Sequence, residues 1–402
     1  MTHNKKLRVP YALAVHDEKE KQRIIKVLDE HRTNMDRETR EFEKKVAKLF
    51  GKKYGIMVNS GSSANLLALE ILNIPRGSEV ITPLLTFSTT VSPIIKLGLT
   101  PVFTDVKRGK YVVDEGQIER LITRKTKALF IPLLIGNVPN LQKLRSIANK
   151  YKLYLIEDSC DTLGAKYNGI PTGFYSDIST TSFFGSHIIT AAGNGGMLLV
   201  DDPRLRDKAK VLRGWGRSSS ILEETENVEL RFRSKLDNIP YDAKFIFDEI
   251  GYNFLPNELS SAFGNVQLTK LNKFRVKRER NFNNLLRFFS GYKDFFILPI
   301  QDQKVETQWL AFPLTIKPTA PFTRLELVKY LENQNIQTRP IFTGNILRQP
   351  GFKNIKHKPL NQKFLVSDAV MERGFIIGCH HGLEKKHMET IKKVFVDFLK
   401  RY

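Results

Sequence analysis

Ser182-Phe183-Phe184-Gly185-Ser186-His187-Ile188-Ile189-Thr190, followed by Gly193-Asn194-Gly195-Gly196, lies between two apolar runs. Ile178 to Phe184 reads as the end of a strand, and Met197 to Val200 as a short strand leaving into Asp201-Asp202-Pro203. The glycines permit a tight turn at which backbone can approach a bound ligand. A serine opens the loop, and His187 is its one group that titrates near neutrality. By itself the segment fits either a ligand loop or a surface loop carrying a solvated histidine.

The elements upstream decide between the two. Leu153 to Ile156 is a buried-type strand ending in Glu157-Asp158, and Ala128 to Leu134 is a nearly continuous apolar run of the kind found in parallel sheets. Glu79 to Pro83 is a strand, Phe87 to Leu97 a helix, Val102-Phe103 a short strand and Leu141 to Tyr151 a helix. Two further helices are expected over His16 to Glu30 and Arg37 to Phe50. Tyr54 to Asn59 is a strand that runs directly into Ser60-Gly61-Ser62-Ser63-Ala64-Asn65-Leu66-Leu67-Ala68-Leu69, a helix start. Serines and a glycine there present free N–H groups and hydroxyls at the positive end of a helix, which suits a phosphate. Plain N-capping by serine accounts for them equally well. Strands alternating with helices give an α/β fold with a mainly parallel sheet, whose ligands gather at the carboxyl ends of the strands. The Ser60 turn, Phe87, Asp158 and the Ser182–His187 loop all fall at such ends.

Downstream, Arg217 to Phe247 interrupts the pattern with Ser218-Ser219-Ser220 and the acidic Glu223, Glu224 and Glu226, as an exposed insertion would. Tyr252 to Lys273 returns to helix. A change of domain is expected near Arg275, giving an N-terminal arm plus large domain over 1–274 and a smaller α+β domain over 275–402. The latter holds helices over Thr323 to Gln334 and Glu384 to Leu399, and strands over Phe312 to Ile316 and Gly374 to Ile377.

A chain of 402 residues with 41% hydrophobic content can bury a sizeable core. No window approaches 18 uninterrupted apolar residues, and no apolar signal core follows Met1 to Leu7, so a cytoplasmic protein with no membrane span is expected. The formal net charge is +22, but the basic residues are spread along the chain in short clusters such as Lys277 to Arg280, which read as solvated faces. Nucleic-acid binding is therefore not expected, whereas a basic surface would draw in an anionic substrate. Cys160 and Cys379 are the two cysteines. They fit a reducing compartment and cannot supply four thiolates to an iron–sulfur cluster. His380-His381 would point apart on a strand, so no metal site is expected.

The order of phosphate turn, aromatic, Glu-Asp at a strand end, Ser-Phe-x-x-x-His and Gly251-Tyr252-Asn253 resembles the DegT-type, PLP-dependent sugar aminotransferases of the aspartate aminotransferase fold. The resemblance covers nearly the whole chain. It is closest to the NDP-4-keto-6-deoxyhexose 3-dehydratases, through Ser60 to Leu69, Glu157-Asp158-Ser159-Cys160-Asp161-Thr162-Leu163-Gly164 and Thr343-Gly344-Asn345-Ile346-Leu347-Arg348-Gln349-Pro350. It implies that Gly61, Ser62, Ser63 and Ser182 hold the cofactor phosphate, with Asn253 added from the other subunit of a homodimer. Phe87 would stack on the pyridine ring, Asp158 would pair with its nitrogen, and Asp161 would complete the cofactor site. Arg339, Asn345 and Arg348 are candidates for the substrate mouth.

His187 stands where the aminotransferases of this family carry the lysine that ties the cofactor covalently. Imidazole cannot form that bond but can take a proton near neutrality. The resemblance therefore implies pyridoxal phosphate held non-covalently and working as the pyridoxamine form on a nucleotide-linked 4-keto-6-deoxy sugar. His187 is the expected base, C3 loses its hydroxyl, and L-glutamate is the expected amino donor. Lacking cluster cysteines in the insertion after Trp215-Gly216-Arg217, the chain fits the branch that needs no redox partner. Gly185-Ser186 and Asn194 depart from the family's usual residues. A nucleotide-sugar aminotransferase and a non-catalytic binding protein on the same scaffold are the alternatives.

Overall fold

The computed structural model describes residues 7–221, 227–359 and 362–402. Met1 to Lys6 and the acidic Glu223, Glu224 and Glu226 lie outside the described residues. Seven strands form the central sheet: β1 (Tyr54–Val58), β2 (Glu79–Pro83), β3 (Thr100–Thr104), β4 (Thr126–Pro132), β5 (Tyr154–Ser159), β6 (Ile178–Ser182) and β7 (Gly196–Val200). Their spatial order is β1-β7-β6-β5-β4-β2-β3. The four pairings from β6 through to β3 are parallel, and β7 runs antiparallel to both its neighbours. The β4 and β5 cores are buried on both faces, which is why they appear in the sequence as unbroken apolar runs.

The register around β7 builds the site. Gly196 pairs with Val58 on one side and with Ser182 on the other. A Cβ at 196 would come within 2.2 Å of the Ser60 backbone, so only glycine lets the turn after β1 close against β7. That turn opens the helix Gly61–Glu70, capped by the Ser60 side chain accepting from the Ser63 N–H. The helix is buried around most of its circumference, as expected for one seated in the middle of the fold.

A single helix, Glu258–Phe289, follows the insertion and runs unbroken through the expected change of domain at Arg275. Its first half packs on the helices Glu18–Asp29 and Arg37–Phe50. Its second half joins a core with the antiparallel sheet of Phe296–Ile297, Phe312–Ile316, Gly374–Ile377 and Thr338–Arg339. The N-terminal arm returns to this lobe, with Val9 bridging Ile336 in parallel. Of the insertion, the described part is closed by the Arg217–Phe247 bridge and is largely exposed.

Candidate active site

The ends of four strands supply one cluster. At the end of β5, Asp158 is buried, and its two oxygens receive unequal attention. Oδ2 accepts from Asn65 Nδ2 at 2.9 Å and from Thr90 Oγ1 at 2.8 Å, whereas Oδ1 accepts from the Cys160 N–H at 3.1 Å. A carboxylate oxygen can take more than one hydrogen bond, so Oδ1 keeps capacity for a further donor. Asn65 is itself aimed by Thr180 on β6, whose hydroxyl donates to its Oδ1 at 2.6 Å.

The turn after β1 lies against the end of β6. A Cβ on Gly61 would sit 2.6 Å from Ser182 Cβ and 2.8 Å from Cys160 Sγ. The helix start, Ser182 and Cys160, which directly follows the strand bearing Asp158, are thus in contact. Ser63 is drawn inward, its hydroxyl donating to Asn59 Oδ1 at 2.6 Å, while Ser62 stays exposed. Ser63 thus serves the turn itself; Ser62 is exposed, and the Ser182 hydroxyl, which accepts from the Phe184 N–H at 3.3 Å, keeps its proton to donate.

His187 is half-buried, and its Nδ1 is closed off from solvent without a hydrogen-bond partner. Burial lowers its pKa from the ordinary 6.5 to about 4; backbone interactions at Ser182 and Cys160 act against the drop and the Arg278 charge adds to it. The histidine is therefore a neutral base at neutral pH, not a solvated surface group. Asp161 is buried, and burial pushes its pKa up to about 7, although the Ile135 N–H donates to its Oδ2 at 2.9 Å. Ile135 adopts φ 58°, a left-handed conformation rare for a β-branched residue. That strain aims the N–H at Asp161.

Phe87 caps the helix Ser88–Lys96 and is 51% exposed, so core packing is not its role. Its ring meets Phe342 edge-on, with centroids 6.1 Å apart. Asn253 is exposed on the segment beside the phosphate turn, where the Asn59 N–H donates to the Phe254 carbonyl at 2.9 Å. Arg339 is exposed, with its guanidinium over the Tyr11 ring at 5.4 Å. Arg348 is ion-paired with Asp368 at 2.8 Å and largely exposed. Asn345 is buried, its Nδ2 donates to Asp368 and its Oδ1 accepts from the Leu347 N–H, so its side chain holds its own loop.

Two residues escaped sequence reasoning. Tyr11 comes from the N-terminal arm and reaches Ser186; burial raises its pKa, the Ser186 hydrogen bond lowers it, and the charges of Asp161, Arg339 and Arg278 all act on it. No local pattern marks a lone tyrosine in an arm. Arg278, in the cluster expected to be a solvated face, is fully buried. It donates from Nε to His381 Nδ1 at 3.1 Å and from Nη1 to the Trp309 and Leu310 carbonyls. Its Nη2 reaches the His187 carbonyl at 3.4 Å, and among the described residues no carboxylate pairs with it. His381 is thereby committed to Arg278, and His380 Nε2 lies 3.1 Å from the Pro10 carbonyl. Among the described residues no group of three or more His, Cys, Asp or Glu is arranged to hold a metal.

Comparison with known proteins accords with this geometry. Lipopolysaccharide biosynthesis protein RfbH of Salmonella typhimurium is 38% identical over 368 residues, covering 89% of this chain and 84% of the relative. The GDP-4-keto-6-deoxy-D-mannose 3-dehydratase of Yersinia pseudotuberculosis is 33% identical over 393 residues, covering 96% and 97%. A crystal structure of GDP-4-keto-6-deoxymannose-3-dehydratase (ColD), a histidine-to-asparagine mutant with bound GDP-perosamine, superposes with a TM-score of 0.86 at 28% identity, over 96% of this chain and 99% of that one. Another structure of a GDP-4-keto-6-deoxymannose-3-dehydratase, with a trapped PLP-glutamate geminal diamine, gives 0.84 at 28%, over 96% and 99%. The fold is that of the type I PLP-transferases. Residues 15–395 match the sequence profile of the DegT/DnrJ/EryC1/StrS aminotransferase family, and the chain belongs to that family.

Proposed function

We propose that this chain is a PLP/PMP-dependent lyase that removes the C3 hydroxyl of a nucleotide-diphosphate 4-keto-6-deoxyhexose, in deoxysugar and lipopolysaccharide O-antigen biosynthesis. The observation that carries the reading is a neutral His187, its Nδ1 without a hydrogen-bond partner, at the position where the family's aminotransferases have lysine. The residues fit the cofactor. Gly61, Ser62 and Ser182 with the helix start would hold its phosphate, supported by Ser63. Phe87 would lie on the ring, Asp158 Oδ1 would meet the ring nitrogen, and Asp161 would stand beside it. Bound there, the cofactor supplies an amine to join the C4 ketone and a ring that withdraws electrons from it.

His187 then works as an unattached base. Being neutral, its imidazole can accept the proton and return it toward the departing C3 oxygen. Oxidation of L-glutamate to its 2-keto acid, with release of ammonia, balances the replacement of hydroxyl by hydrogen at C3, so no redox partner is required. The name of the Yersinia relative and the PLP-glutamate adduct in the ColD-type structure support substrate class and amino donor. Arg339 and Arg348 are proposed at the substrate mouth.

A homodimer with shared sites is proposed as well. The insertion leaves Ile239, Phe245 and Phe247 exposed, and Ile250, just after it, is 95% exposed, near in sequence to the exposed Asn253. Apolar surface of this kind is covered in stable assemblies. Among the described residues no helix is long and apolar enough to cross a membrane, and a nucleotide-sugar substrate fits a cytoplasmic location.

The test offers GDP-, CDP- and dTDP-linked 4-keto-6-deoxy sugars with PLP and glutamate and reads products by mass spectrometry. A 3-deoxy ketose is expected; an amino sugar would establish the aminotransferase instead. His187→Ala is expected to abolish dehydration while retaining PLP, and His187→Lys to acquire a borohydride-reducible link to it. Turnover by His187→Ala at the wild-type rate would remove the histidine from the mechanism.

A further inference from the structure

We propose that Thr343 and Phe342, in the loop Pro340–Gly344 of the smaller lobe, are positioning residues that set the tilt of the Phe87 ring and brace Asp158 from the opposite lobe. This rests on the reading that the cofactor lies between Phe87 and Asp158. Thr343 donates from both its hydroxyl, at 2.6 Å, and its N–H, at 3.3 Å, to the carbonyl of Thr86. That carbonyl belongs to the peptide unit leading into Phe87. Fixing it fixes the peptide plane and hence the direction in which the Phe87 side chain leaves the backbone.

The same residue continues the connection inward. Thr86 Oγ1 donates to Thr90 Oγ1 at 2.8 Å, and Thr90 Oγ1 donates to Asp158 Oδ2 at 2.8 Å. Each hydroxyl has one proton to give, so the row has a single direction that ends on the carboxylate. Thr86 is thus gripped at its carbonyl by the smaller lobe and at its hydroxyl by the row that satisfies Asp158.

Phe342 adds the third contact. It sits at φ 45°, where a phenylalanine is strained, and its N–H donates to the Pro340 carbonyl at 3.0 Å. A non-glycine residue persists there when the surroundings over-determine it, and such outliers concentrate at ligand clamps. Here the conformation brings the Phe342 ring edge-on to Phe87. Gly344, two positions on and at φ 64°, passes so close to Met371 that a Cβ would meet that side chain at 2.5 Å. The loop is pinned from behind and pushes its aromatic forward.

The experiment compares full-length wild type with Thr343→Val, which keeps the shape and removes the hydroxyl donor, and with Thr343→Ser, which restores the donor. PLP affinity is read by fluorescence titration and ring orientation by the induced circular dichroism of the bound PLP band, with melting of the cofactor-free protein alongside. Thr343→Val is expected to weaken PLP about five- to tenfold, the equivalent of one hydrogen bond, and to diminish the dichroism. Thr343→Ser is expected to recover both. A valine variant that melts lower but binds PLP with wild-type affinity and dichroism would overturn the proposal, because a merely structural loop behaves that way. If wild type itself failed to bind PLP, the cofactor reading would fall and this proposal with it.

Discussion

Replacing Gly61 by alanine tests the phosphate cradle at its narrowest point. The new Cβ would lie 2.6 Å from Ser182 Cβ and 2.8 Å from Cys160 Sγ, where ordinary contact begins at 3.4 Å. The helix start and the end of β6 must therefore separate by about 0.8 Å, the difference between 3.4 and 2.6 Å. Ser182 Cβ cannot swing away, because its strand sits in register on Gly196, whereas the Cys160 thiol is the end of a side chain that can turn. Overpacking of this kind costs about 1–3 kcal/mol of fold stability. The displacement also carries the first-turn N–H groups off the position shared with Ser182. A hydrogen bond to a charged group contributes about 1.5–3 kcal/mol, so losing one weakens phosphate binding by about tenfold to a hundredfold. Thermal melting without cofactor measures the first effect, and titration with PLP the second. Ser62→Ala is the control: Ser62 is exposed, so only the affinity should fall. A Gly61→Ala protein that melts and binds PLP like wild type would refute the argument that this turn closes on Ser182 to form the cradle.

Two further expectations follow from the site. The acid limb of activity set by His187 should lie nearer pH 4 than 6.5; a limb at 6.5 would show the imidazole to be solvated. On the stability side the folded value is depressed, so this group's contribution is complete above 6.5 and is lost progressively as pH falls toward 4, which urea melts of wild type and His187→Ala across that window would reveal. Arg278→Met should destabilise the protein, because it strands His381 Nδ1 and the Leu310 carbonyl at about 1–3 kcal/mol each and leaves the Trp309 carbonyl only the weak Cys379 thiol donor, which together exceed the relief of a buried cation that hydrogen bonds already satisfy. An unchanged denaturation midpoint would sink that reckoning.

The sheet was legible because its strands are short apolar runs closed by glycine, proline or a charged pair, and its helices carry their own caps. Gly61, Asp158 and His187 were legible for a related reason. Each sits where a strand stops, and polar residues at strand ends have few roles besides capping and ligands. Asn65 could have been found, since it lies one helical turn beyond Gly61 and shares its face. Arg278 could not. Its neighbours Lys277, Glu279 and Arg280 give the ordinary signature of a solvated helix face, and only the way the helix Glu258–Phe289 crosses between lobes turns one member of that run inward. Tyr11 and Thr343 were equally hidden, because their partners are 175 or more residues away in the chain: Ser186 for Tyr11, and Thr86 for Thr343. Asn345 lies in a motif that pointed to substrate, and its polar atoms are engaged by its own loop, which no local pattern announces.

The lowered pKa of His187 has a cost that the rest of the site must meet. A buried imidazole that protonates near 4 is a weaker base than one in water. In the proposed reaction it would take a proton only from an atom already made acidic, and Asp158, paired with the ring nitrogen of a bound cofactor, would help to supply that acidity. Asp158 is anchored by three donors, Asn65, Thr90 and the Cys160 N–H. The same burial becomes an advantage one step later. Once protonated beside Arg278, which no carboxylate pairs with among the described residues, the imidazolium would be a stronger acid than one in water and in the proposed reaction would give its proton to the departing hydroxyl. A lysine could not be substituted into this scheme without loss. Its ammonium would be repelled by Arg278 and would hold the proton more tightly, leaving the hydroxyl without a ready donor. In the proposed dehydration, the environment around position 187 would suit a group that takes up a proton and gives it back.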